Sequence, residues 1–287
     1  MPGVFVAVGY GGRRVRSTDD GVTWTDDASL ATNGGDDNSL LRTVAWGKNQ
    51  FVALGYRALT SPNGKDWQDR GLLAIDQWIG AALFAQGQFV AIGGYGLRAT
   101  SLDGVAWTDR PIDHVDSHAD SADALVFSSD FGGRFVSTND SGRRSTSSDG
   151  KVWALSTGAT STMTTDLAFG NGVFVGIGGT AVVVSTDGGT SWSDAGHVAA
   201  NVAGLVFAQG HFTALASGHA YTSSDGLTWT DHPVAGLAPG ALTYGHGTYI
   251  KAGGLMLSRS PDGISWASPF VLSGSNHIAC VTFGPTG

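Results

Sequence analysis

Two histidines four residues apart, threaded with carboxylates, form the densest chemistry in the chain: Asp113-His114-Val115-Asp116-Ser117-His118-Ala119-Asp120. Imidazole nitrogens suit zinc and manganese, and carboxylate oxygens suit calcium. His114, Asp116 and His118 would therefore hold a divalent metal: calcium, zinc or manganese. Alternatively His114 and His118, with Asp120, would move protons, because an imidazole beside a carboxylate titrates near neutral pH. A second polar stretch, Ser137-Thr138-Asn139-Asp140-Ser141-Gly142-Arg143, adds Asp140 as a further carboxylate and Arg143 as a cation for an anionic substrate. The competing reading is a solvated polar loop, since no helix fixes the spacing of the two histidines.

A different set of residues suits recognition. Arg57, Trp78, Tyr95, His219, Asn276 and His277 are candidates for the mouth of a binding face, and exposed aromatic rings there stack on sugars or on a partner's apolar surface. Trp78, next to Ile79, would equally cover core. The stretch Asp26 to Ser39, with Asn33-Gly34-Gly35-Asp36-Asp37-Asn38 at its centre, carries oxygens that calcium takes, but not at calcium-loop spacing. It reads as a mobile loop.

The elements that position these loops are legible as a repeat. Gly-x-x-Trp occurs seven times, from Gly21/Trp24 to Gly263/Trp266, with successive tryptophans 37 to 46 residues apart. A period near 40 built of short apolar runs is the mark of a propeller or array of supersecondary units. Each unit reads as four strands, A to D, as in Leu167 to Gly170, Val173 to Gly178, Ala181 to Ser185 and Ser191 to Ser193. The chain opens on a B strand, Phe5 to Gly9, that lacks its A, and closes on an A strand, Ile278 to Phe283, that lacks its B. Pairing these two would complete a sheet and remove two exposed edges. The expectation is all-β: one seven-bladed β-propeller domain over residues 1–287, with four-stranded blades and the ring closed by the terminal strands. With A innermost, the D-to-A and B-to-C loops share one face.

Ser17-Thr18-Asp19-Asp20-Gly21-Val22-Thr23-Trp24 and Ser185-Thr186-Asp187-Gly188-Gly189-Thr190-Ser191-Trp192 resemble the Asp-box, Ser-x-Asp-x-Gly-x-x-Trp, of BNR-type, sialidase-like propellers. The other five copies are one residue shorter, and the second has Asn63 for the aspartate. The resemblance implies that these carboxylates organise turns on the face opposite the ligand site. It also implies glycoside hydrolysis, which the residues oppose. The family uses a tyrosine nucleophile with a glutamate, together with an arginine cluster. This chain has no glutamate and no Phe/Tyr-Arg-Ile-Pro motif.

Composition narrows the partners. All 24 acidic residues are aspartate and only four lysines occur, which disfavours substantial helix. A net charge of −8 without a basic block would repel a phosphate backbone, so no nucleic acid is expected. No apolar run approaches the roughly 20 residues of a membrane span. The opening Met1-Pro2-Gly3 shows no signal peptide; the chain is expected to be soluble, and secreted or periplasmic if a leader has been removed. Cys280 stands alone in an apolar run and is expected to be a buried, inert thiol. The function these observations favour is a binding module that takes a glycan, a protein or a small molecule at the loop-bearing face. The alternative is an enzyme of lyase, hydrolase or cyclase type centred on the Asp/His loop.

Overall fold

Runs of β-branched and aromatic residues bounded by Gly, Asn, Asp and Ser pair antiparallel along the whole chain, as their propensities dictate. A computed structural model describes residues 3–31, 33–73, 77–110, 122–139, 141–158 and 162–285. Its strands form six sheets, which corrects the seven four-stranded blades expected from seven repeats. Five sheets have four strands each. The first joins Ile278–Pro285, Gly3–Gly9, Arg14–Ser17 and Thr25–Ala28; the second joins Leu41–Gly47, Gln50–Gly55, Arg57–Ser61 and Gln68–Leu72. Ile79–Ala85, Gln88–Gly93, Arg98–Ser101 and Thr108–Arg110 make the third, and Ala122–Ser128, Arg134–Asn139, Arg144–Ser147 and Ala154–Leu155 the fourth. Ala241–Gly245, Thr248–Gly253, Met256–Ser260 and Phe270–Val271 make another.

The remaining sheet has six strands: Asp166–Gly170, Val173–Ser185, Ser193–Ala208, His211–Ala216, His219–Ser223 and Thr230–Pro233. Two of its strands are unusually long, at 13 and 16 residues, and they run the fifth and sixth repeats into one another. Pairing continues past the ends of the short runs, with Gly179, at a positive φ of 59°, opposite Val202 and Ala181 opposite His197 across bulges. At the corresponding place in the first and third repeats, three-residue 3-10 turns, Tyr10–Gly12 and Gly94–Gly96, break the strand.

The chain divides into two compact units: Met1–Val90 with Thr100–Thr108 and Gly240–Gly287, and Ala91–Ala99 with Asp109–Pro239. In the first unit the terminal strands pair as expected. Gly3 lies opposite Pro285, Phe5 opposite Phe283 and Val8 opposite Cys280. Cys280 is partly exposed rather than buried. No described helix is long and apolar enough to cross a membrane.

One aromatic pair recurs between the first two strands of each repeat. In the first unit Phe5/Phe283, Trp46/Phe51, Phe84/Phe89 and Tyr244/Tyr249 have ring centroids 4.5–5.0 Å apart. In the second, Phe127/Phe135, Phe169/Phe174 and Phe207/Phe212 do the same at 4.5–4.8 Å. The second-strand ring of every pair is fully buried, and each pair contributes about 0.5–1.5 kcal/mol beyond its area burial. Glycine makes room for the neighbouring ring. A Cβ on Gly47 would sit 2.2 Å from Phe84, and one on Gly170 would sit 2.1 Å from Phe207.

The Gly-x-x-Trp turns are held by their own side chains. Gly21 donates its N–H to Ser17 Oγ at 2.9 Å, and Val105 and Ala106 donate theirs to Asp103 Oδ1 at 2.9 Å. Trp67 and Trp192 donate Nε1–H to the carbonyls of Gly64 and Gly189. Those backbone donors hold the Asp103 carboxyl below the usual range. These aspartates are occupied in shaping turns.

Candidate functional site

In the first unit, a polar pocket of about 300 Å³ opens where the two chain ends come together. Its walls are Arg13, from the turn after the opening strand, Asp27, Ser29 and Asn33, from the segment that follows Trp24, and Ser273 to Asn276, which precede the closing strand. Arg13 is only 3% exposed. Its Nε donates to Asp27 Oδ1 at 2.9 Å and its Nη2 to Asp27 Oδ2, a two-pronged ion pair. The same guanidinium donates to the carbonyls of Asn276 at 2.7 Å and Ser273 at 2.8 Å. Planar geometry and five fixed donors let one arginine tie three chain segments together, which a lysine could not do.

Asn276 completes the staple. Its amide donates to Ser29 Oγ at 3.2 Å and to the Ala31 carbonyl at 2.8 Å, and its Oδ1 accepts the N–H of Gly34 at 2.6 Å. A side chain predicted to touch a ligand is thus spent on holding the pocket wall. His277 is exposed and stands edge-on to Tyr10, their centroids 6.2 Å apart, while the Tyr10 N–H donates to the His277 carbonyl at 2.9 Å. Tyr10 is 47% exposed, so an aromatic surface stands next to His277, outside the residues that line the pocket.

The same segment is gripped at its other end. Arg57 donates Nε–H to the Asn38 carbonyl at 3.3 Å and pairs with Asp69. The Arg42 guanidinium lies 4.4 Å from the Trp78 ring centroid and 3.8 Å from Asp37. Asp36 accepts the N–H of Ser39. The described residues of the segment expected to be a mobile loop are therefore anchored by Arg13, Asn276, Arg57 and their own turns. Of the predicted recognition residues, Arg57, Trp78, Asn276 and His277 all border this stretch or its anchors.

The second unit carries the others, each with its own local partners. Tyr95 is 49% exposed at a positive φ of 53° in its 3-10 turn. His219 Nδ1 lies 2.8 Å from Asp231 Oδ1, and its ring stacks on Tyr221 at 5.8 Å. Arg143 is exposed, and its N–H donates to Asn139 Oδ1 at 2.8 Å. His114, Asp116, His118, Asp120 and Asp140 lie outside the described residues, and so do the metal and acid/base readings built on them. Among the described residues no three His, Cys or Asp side chains converge in a way that could hold a metal ion.

Asp166 escaped attention in the sequence. The residue is half-buried, and its carboxyl accepts the N–H groups of Leu167 at 2.9 Å and Leu205 at 2.8 Å. Burial pushes it up to about 7 from 3.8, with the two N–H groups opposing. Arg13, Asp27, Ser29, Ser273 and Ser275 were also missed as site residues. The Arg13-Arg14 doublet inside a glycine turn and the Ser-Gly-Ser-Asn run before the last strand were the available signals, but the link between them spans 263 residues.

No protein-family model matches the chain, and no curated protein matches it. Solved structures do. YCF48 bound to D1 peptide aligns over 79% of this chain and 76% of its own, with 18% identity and a TM-score of 0.60. A catalytically inactive virginiamycin B lyase from Staphylococcus aureus with quinupristin aligns over 83% and 86%, with 8% identity and a TM-score of 0.70. The WD40 β-propeller domain of Doa1 aligns over 86% and 84%, with 14% identity and a TM-score of 0.62. At these identities the likeness is one of fold, and the fold this chain shares with them is the β-propeller.

Proposed function

We propose that the protein is a ligand-binding module whose recognition site is the polar pocket of the first unit, with a glycan or a protein segment as its partner. The observation that carries this reading is the double anchoring of the pocket. Arg13 and Asn276 hold its walls in one geometry before any ligand arrives, which lowers the ordering cost of binding. Recognition pockets are concave and largely pre-formed, and a few placed polar groups orient the ligand; this one is lined by polar side chains and a glycine. Similar folds serve recognition: YCF48 is seen with a peptide, and a nidogen/laminin complex with a TM-score of 0.58 includes another such chain.

The test is to fill the pocket without cutting its staples. Ser275 is exposed, lines the pocket and makes one long hydrogen bond, at 3.4 Å to Asn33, so Ser275→Trp places an indole in the cavity. Peptide and glycan arrays probed with both proteins should show ligands that the parent binds and Ser275→Trp loses, with Tm unchanged. Ligands that bind both proteins equally would remove the pocket from the site.

A further inference from the structure

We infer that the occupant of this pocket is a neutral, hydroxyl-rich ring, that is, an uncharged saccharide; this rests on the reading of the pocket as the recognition site. The charge balance comes first. The lining holds one cation and one anion, Arg13 and Asp27, and they neutralise one another through two hydrogen bonds. Four of the five N–H donors of Arg13 are spent on Asp27 and on the Asn276 and Ser273 carbonyls. An anion entering the pocket would meet the Asp27 carboxylate with no uncommitted cation to offset its desolvation, on a chain whose net charge is already −8. A cation would find Asp27 already paired. An apolar ligand would find no hydrophobic side chain in the lining.

Neutral polar ligands remain, and the donor set separates sugar from peptide. An extended peptide added at a sheet edge is held by main-chain hydrogen bonds. Around this pocket the Ser273, Asn276 and Ala31 carbonyls and the Gly34 N–H are already bonded to Arg13 and Asn276. Beside them stand the hydroxyls of Ser29, Ser273 and Ser275, the Asn33 amide, and the two lone-pair sites of Asp27 that Arg13 leaves open; Ser29 Oγ accepts from Asn276 and keeps its O–H to give, and the Ser275 hydroxyl, which donates to Asn33 Oδ1 at 3.4 Å, keeps its lone pairs. Groups that donate and accept at once match sugar hydroxyls, which do the same. Tyr10 does not line the pocket, but it is exposed beside His277, which follows the lining residue Asn276 in the chain, and it offers an aromatic face for the C–H surface of a pyranose that extends out of the pocket. The pocket is small, about 300 Å³, at the lower end of ligand sites, which suits one or two rings.

The probe is an array of neutral and acidic glycans together with a peptide array, followed by titration of the parent protein with its best neutral hit, with glucuronate and with inorganic phosphate, read by calorimetry and thermal shift. The expected result is binding of neutral glycans, at least tenfold weaker binding of glucuronate and phosphate, and loss of the neutral hit in both Ser275→Trp and Asp27→Asn. Tyr10→Ala, at an exposed position, should weaken the neutral hit several-fold while leaving Tm unchanged. Glucuronate or phosphate binding as tightly as the neutral glycan would overturn the inference. So would an absence of neutral hits while a peptide binds and is lost in Ser275→Trp, a result that leaves the recognition site standing. If nothing on either array depends on Ser275, both readings fall.

Discussion

Asn276 shows how a polar side chain can serve a site without touching a ligand. It satisfies a carbonyl, an N–H and a hydroxyl on a segment more than 240 residues away, and truncation leaves those groups without partners at a half-buried position. Asn276→Ala should cost about 1–3 kcal/mol of unfolding free energy, measured by urea titration. An unchanged midpoint would mean that the segment is held by Arg13 alone. Two carboxyls oppose one another in pH dependence. Desolvation acts on Asp262, but the N–H groups of Ser265 and Ile264 and hydroxyls of Ser265 and Ser260 outweigh it and hold its carboxyl at about 2. Its contribution is present above the unfolded value of 3.8 and is lost as pH falls toward 2. Asp166 runs the other way. Its folded value near 7 lies above 3.8, so the folded state holds the proton more tightly, and stability falls as pH rises from about 4 through about 7. Asp166→Asn should flatten that part of the stability curve. A slope unchanged in the variant would place the titrating group elsewhere.

At the scale of elements, the aromatic pair between the first two strands and the glycine that admits a neighbouring ring form one packing unit. Gly47→Ala drives a Cβ to 2.2 Å from the Phe84 ring, and a well-packed site can answer only by shifting backbone or leaving a rotamer well, at roughly 1–3 kcal/mol. Chemical denaturation of Gly47→Ala should show that loss. Gly87→Ala, where nothing lies within 4 Å, isolates the cost of a positive φ from that of packing. The joined fifth and sixth repeats belong to this scale as well. Each of their strands reads from sequence as a separate short run. Whether two runs become one strand depends on whether the residues between them turn. Gly178-Gly179-Thr180 is compatible with either course, and pairing across the bulges at Gly179 and Ala181 decided for continuity.

At the scale of the whole molecule, the chain ends are partners. Gly3 lies opposite Pro285, so a short glycine linker can join them, and new ends can be opened at Gly132, around which no atom lies within 4 Å of a Cβ. Such a circular permutant should fold cooperatively, with a Tm at or above that of the parent, because it keeps the terminal pairing while shortening the closure that holds it. Removal of Ile278–Pro285 instead bares the edge of Gly3–Gly9 and takes Phe283 from Phe5. That truncation should aggregate, as light scattering would show. A soluble, cooperatively folding truncation would mean that the terminal pairing is dispensable.

The repeat, the strand chemistry and the partnership of the first and last strands were legible in the amino-acid order, because each rests on short-range patterns: an apolar run, a turn residue, an unpaired edge. Turn geometry made the role of Asp19, Asp103 and their equivalents legible too, since Ser-x-Asp-x-Gly and the shorter Ser-x-Asp-Gly both satisfy their own backbone. The sheet count and the pocket were decided only in three dimensions. Neighbouring repeats fuse or separate according to register, which no single segment encodes. Arg13 is unremarkable where it stands in the sequence, and Asn276 reads there as a ligand contact rather than a staple; the two form a site because closure of the terminal strands brings residues 13 and 276 within hydrogen-bonding distance.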